Sequence, residues 1–192
     1  MNFRPYRLLL SALLALAATH AVQALSITPT SGVLNTSRWQ GDETGQAFIN
    51  TILAGIFPAG TLELYKQDVG QAEANLPLKD SYKTTFSNSP SDPSTALIEY
   101  TGGPIVSPTA YGLVKGGGPA NAAPFWYLFD LTALGWNGTD SITYSGFWPN
   151  QGAISHVTLY GKQANQVPEG GSALVLLGLS LAFLGFARRK LA

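Results

Sequence analysis

The sequence predicts a mainly β protein: an antiparallel β-sandwich with one short helix, for which a jelly-roll winding is one option, flanked by an N-terminal signal helix and a C-terminal transmembrane helix. Three observations lead there. Short apolar runs alternate with clusters of Gly, Pro, Asn and Ser, eight times between Leu25 and Tyr160. One stretch alone shows apolar residues at three- and four-residue intervals. Both ends of the chain have the composition of targeting segments rather than of a packed core.

Residues 1–24 come first. Arg4 and Arg7 give a positive start, Leu8 to Ala18 an apolar core of 11 residues, and Val22-Gln23-Ala24 a small-residue cleavage site. That is a secretory signal peptide, with Leu25 the expected first mature residue. The body, residues 25–166, reads as one domain. Its expected strands are Leu25–Thr28, Thr61–Lys66, Tyr82–Phe86, Ala96–Thr101, Tyr111–Lys115, Phe125–Leu131, Ser141–Ser145 and Ile154–Tyr160. Phe125 to Phe129 is apolar on both faces and so belongs in the middle of a sheet, whereas Ser141 to Ser145 alternates as a half-exposed strand should. In Asp42 to Ile56, Phe48, Ile49, Ile52, Leu53 and Ile56 fall at helical spacing, with Asp42 or Thr44 available as a cap. A strand over Gln46–Ile52 is the alternative.

Residues 167–192 read in three parts. Val167-Pro168-Glu169-Gly170-Gly171 leads into an apolar run from Ser172 to Ala187, and Arg188, Arg189 and Lys190 follow almost at the end. A helix of 16 residues spans about 24 Å at roughly 1.5 Å per residue, thin but tolerable against a hydrocarbon core of about 30 Å. The basic cluster resists crossing, which places the body outside the cytoplasm and the tail's end inside.

This tail resembles the PEP-CTERM sorting signal of Gram-negative bacteria. Val167-Pro168-Glu169 matches that pattern, while Gly170-Gly171 replaces its usual second proline and is closer to the VPDSG-type variants. The resemblance implies recognition and trimming by an exosortase, an integral-membrane sorting enzyme, while the signal peptide makes the translocon and signal peptidase expected partners. In the body, Leu113-Val114-Lys115, Trp126 to Leu131, Trp136-Asn137-Gly138 and Gly152 to Val157 resemble ectodomains that carry such tails. That likeness implies a surface module of β type and no particular reaction.

Composition narrows what the body can do. It keeps six basic residues against ten acidic ones, so nothing favours nucleic acid, which wants a clustered basic surface. There is no cysteine, hence neither disulfide nor thiol chemistry. His156 is the body's one histidine, facing the same way as Ile154 and Thr158 and opposite Val157 and Leu159 in an alternating strand. A lone histidine on a strand reads as packed rather than catalytic, and zinc wants three or four ligands. No Gly-x-Ser-x-Gly elbow is present. Glu63, Glu99, Asp130 and Asp140 are the acids from which a glycosidase pair would be drawn, and Asp42, Glu43, Asp80 and Asp92 are loop acids open to calcium. Solvated strand and turn positions account for both sets. No catalytic residue, metal or cofactor is expected.

Binding is a different matter. Trp126, Tyr127, Trp136, Phe147, Trp148 and Tyr160 crowd the second half of the body. Large rings either fill a core or stand on a rim and stack on sugars. Trp148, Trp136 and Asn150 are the candidate carbohydrate contacts, Trp148 first because Pro149 and Asn150-Gln151-Gly152 place it in a loop. The functional expectation is an exported, non-enzymatic surface or matrix protein linked to biofilm exopolysaccharide, with a structural or adhesive role. A carbohydrate-binding module recognising matrix polysaccharide is the alternative, and a glycoside hydrolase or lyase stands third.

Overall fold

The computed structural model describes residues 24–89, 91–117, 123–148 and 152–165. The signal segment up to Gln23, Asn150, and the whole tail from Val167 to Ala192 lie outside the described residues. In chain order the elements are β1 (Leu25–Ile27), β2 (Arg38–Gly41), α1 (Gln46–Ile56), β3 (Leu62–Asp68), β4 (Tyr82–Phe86), β5 (Thr95–Tyr100), β6 (Ile105–Gly116), β7 (Trp126–Asp130), β8 (Ile142–Ser145) and β9 (Ile154–Ala164). They form a four-stranded sheet, β1-β8-β5-β4, and a five-stranded sheet, β2-β7-β6-β9-β3. Among the described residues no helix is long and apolar enough to cross a membrane.

All eight expected strands are present, with ends moved by a few residues. Two differences have local causes. β2 was not expected: Arg-Trp-Gln-Gly has a single large apolar side chain and pairs on one side only, with β7. β6 runs well beyond Tyr111–Lys115, back through Pro108 to Ile105. Proline cannot donate to a ladder, and the register with β9 slips between Val106 and Ala110, where Pro108 lies. The winding also departs from a jelly roll, which is built of eight strands in two Greek keys. Among the described residues nine strands divide five and four, β4–β5 and β6–β7 are antiparallel neighbours in sequence, and β1 runs parallel to β8.

Alternation along the strands creates two cores. Between the sheets lie Tyr65, Ile98, Phe129, Tyr144, Val157 and Leu159. The sheets approach so closely at Gly112 that any Cβ there would run into the Tyr144 hydroxyl. On the far side of the five-stranded sheet, α1 lays Ile49 and Leu53 onto Tyr111, Leu113, Trp126, Leu128 and Tyr160. Ile49 and Leu53 are four residues apart, one turn along the same helix face, and each is almost wholly buried. Burying one such side chain contributes about 1.5–3 kcal/mol. The helix is shorter than the expected Asp42–Ile56, and neither Asp42 nor Thr44 caps it. Its N-cap is Gly45, with no side-chain cap. The Glu43 carboxylate instead accepts the Trp126 indole N–H at 3.0 Å, tying the entry loop to the sheet.

Candidate functional site

The aromatic set belongs mostly to the interior. Trp126, Tyr127, Phe147 and Tyr160 are all buried. Trp136 is 6% exposed, packs against Tyr82 at 6.1 Å between ring centroids, and donates its indole N–H to the Asp140 carbonyl at 2.7 Å. A ring so enclosed offers no face to a sugar, so core packing accounts for Trp136. Trp148 differs, because it is only half-buried. Its ring lies over Gly116, where a Cβ would approach it to 2.8 Å, and contacts Tyr127 and Phe147. Its indole N–H donates to the Pro124 carbonyl at 2.6 Å. The backbone there is left-handed, φ 49°, a conformation that a bulky residue seldom adopts.

The acids proposed for chemistry do not converge on one place. Glu63 is on the five-stranded sheet, whereas Glu99 is on the four-stranded sheet opposite Lys83. Asp130 accepts the Ala133 N–H at 2.9 Å in the turn after β7. Asp140 lies in a turn organised by the Asn137 side chain, which accepts the Thr139 and Asp140 N–H groups. Among the described residues no three His, Asp or Glu gather as ligands for a metal ion.

His156 sits in a polar row that sequence reasoning missed. Cross-strand register puts Asp68 of β3, His156 of β9 and Lys115 of β6 side by side. They share the sheet's helix-bearing face, opposite Val157 and Leu159, while Ile154 at the start of β9 joins the core between the sheets. Asp68 bonds Lys66 at 3.0 Å and lies 3.5 Å from His156 Nδ1. His156 is 5% exposed, and its Nε2 has no hydrogen-bond partner among the described residues. Burial, with Lys66 and Lys115 adding to it and Asp68 opposing it, lowers the imidazole pKa to about 4. Lys115 is itself held below its usual range by burial and by Lys66. The sequence signal was the Lys66-x-Asp68 alternation on one face, but its partners depend on register, which residue types alone do not specify.

A groove opens at the C-terminal end of α1, with a volume of about 380 Å³. Phe57, which ends the helix, is held between Tyr111 at 4.9 Å and Tyr160 at 5.0 Å. Asn50, Thr61 and Glu63 supply its polar lining. Glu63 is exposed as a residue, yet partial burial of its carboxyl, reinforced by Asp68 and opposed by Lys66, raises its pKa. Burial likewise pushes the Tyr160 phenol well up, and the Glu63 charge adds to the effect. The turn at the groove's edge is pinned by Thr61, whose hydroxyl donates to the Pro58 carbonyl at 2.8 Å, and by Gly60 at φ 80°. Glu63 is an exposed strand residue, as the sequence predicts. Only the return of the chain past Phe57 makes it part of a groove.

The described body is thus a two-sheet β domain with one covering helix. Outside it, residues 166–191 match the family described as VPDSG-CTERM motif, a PEP-CTERM-type sorting tail. The tail implies an exported, membrane-transiting protein processed by an exosortase-type enzyme. No curated protein and no solved structure matches the chain.

Proposed function

We propose that the exported body serves at the cell surface or in the extracellular matrix of a Gram-negative bacterium, as a non-catalytic structural or adhesive component associated with exopolysaccharide. The sorting tail carries this reading, because it commits the chain to export and to trimming at the membrane. Val167 to Gly171 serve as the sorting motif, and Arg188, Arg189 and Lys190 hold the tail's end on the cytoplasmic side. The body's own chemistry is in keeping with the reading, since its one histidine is buried and its rings are largely committed to packing. Replacing Pro168 and Glu169 together is expected to leave export intact while the protein accumulates in the inner membrane, measured by fractionation and intact mass. Normal release of the double variant would show that the motif is only a linker.

One observation favours a carbohydrate-binding reading beside it. Trp148 is the member of the aromatic set that stays half-exposed, on a left-handed backbone and over a glycine. If it is a platform, Trp148→Ala lowers retention on polysaccharide from the producing organism. Unchanged retention removes it as a contact.

A further inference from the structure

The groove beside α1 holds a partly desolvated carboxylate that no cation of the described residues pairs with directly. Lys66, the cation that acts on it, is bonded to Asp68 at 3.0 Å. We infer that this groove binds a neutral saccharide unit, with Glu63 accepting its hydroxyls, Asn50 donating to an oxygen, and the half-buried Phe57 ring meeting its C–H face. The inference rests on the polysaccharide association proposed above, but places a site away from Trp148.

The ligand class follows from the groove's chemistry. An ionised carboxylate only accepts hydrogen bonds, through two oxygens, and adjacent sugar hydroxyls are donors of matching spacing. The Asn50 carbonyl oxygen is occupied by the Gln46 amide at 2.8 Å, so its NH₂ group is the end available to donate. An anionic ligand would meet the Glu63 charge. A cationic one would meet Lys162, whose ammonium lies 3.7 Å from the position a Cβ would take at Gly60. A neutral ligand meets neither repulsion. Size agrees as well, since small-ligand pockets run from roughly 300 to 1,000 Å³. The floor is prepared in advance, because Phe57 is held by rings on both sides and the Pro58–Thr61 turn is closed by its own hydrogen bond. Little order then has to be created on binding.

The test uses the isotope-labelled full chain in a zwitterionic detergent that has no sugar headgroup. Maltose, cellobiose and lactose are titrated as neutral probes, with digalacturonate and spermidine as charged ones, while backbone amides are followed. At least one neutral disaccharide is expected to shift Gly60, Thr61 and Glu63. Glu63→Gln, which keeps the shape of an exposed side chain, should weaken that binding about tenfold or more, the loss typical of a charged hydrogen bond. Trp148→Ala should leave it unchanged. The inference is overturned if no neutral probe moves these amides, if Glu63→Gln binds as the parent does, or if a charged probe binds there more tightly. A disaccharide that shifts the Trp148 indole while the groove amides stay still overturns this site and leaves the matrix reading standing.

Discussion

The five-stranded sheet is covered on both faces where α1 crosses it, whereas the four-stranded sheet turns one face to water. Their strands differ accordingly. β7, Trp-Tyr-Leu-Phe-Asp, is buried along almost its whole length, with Tyr127 and Phe129 facing the other sheet and Trp126 and Leu128 facing the helix side. β8, Ile-Thr-Tyr-Ser, buries every second residue. The same backbone geometry therefore carries continuous or alternating apolar residues according to what lies on its second side. A single 11-residue helix creates that difference, and it brings Tyr111, Trp126 and Tyr160 out of water with it.

The sharpest way to break this comparison is to cut into the helix-covered layer. Trp126→Ala should cost roughly 3–5 kcal/mol in urea unfolding, through lost transfer energy and an unfilled cavity. It also strands the Glu43 carboxylate that the indole N–H serves. Leu53→Ala, on the helix side of the same contact, should cost about 2–5 kcal/mol. A loss near zero for both would mean that α1 rests on the sheet without stabilising it.

Acid should act on the covered sheet as well. His156 titrates at about 4 in the folded protein, against roughly 6.5 in an unfolded chain. As pH falls, the unfolded chain takes up the proton first. The stability linked to His156 is thus fully present above about pH 6.5, drains away as pH falls towards 4, and levels off below. The expected loss is on the order of 1–3 kcal/mol, and His156→Gln should flatten that limb of the stability curve. The exposed pair Lys83 and Glu99 on the other sheet provides the control: replacing both should leave the limb in place. The smallest effect belongs to the open face itself. Thr85→Ala, on an exposed position of β4, should change stability by no more than about 0.5 kcal/mol.

How far the sequence could be read follows the same division. Strands with one wet face announce themselves by alternation, as β8 does, and a strand buried on both sides does so by continuous large residues, as β7 does. The helix was legible because Ile49 and Leu53 repeat at its period, although its start was not. Asp42 and Thr44 looked like caps, yet Glu43 turns to Trp126 and leaves Gly45 to begin the helix. β2 was illegible because an edge strand of four residues needs little apolar surface. Neither the polar row at His156 nor the groove at Glu63 could be read, because each joins residues some 90 positions apart through register and chain return. Trp136 misled for a related reason. Its neighbours Asn137-Gly138 mark a turn, and the ring reaches back from that turn to Tyr82.

The place of β9 sets the order of events during export. It is the final strand of the body, yet it lies inside its sheet, with β6 on one side and β3 on the other. Until Ile154 to Ala164 have crossed the membrane, β3 has no neighbour to pair with and the five-stranded sheet stays in two pieces. Only seven residues, 165–171, separate that strand from the apolar run that begins at Ser172, a reach of about 24 Å when fully extended. The strand that completes the five-stranded sheet is therefore the one next to the sorting tail at residues 166–191. A chain halted even one strand early would leave the β3 edge open, so the stretch just ahead of the sorting tail is the one that closes the sheet.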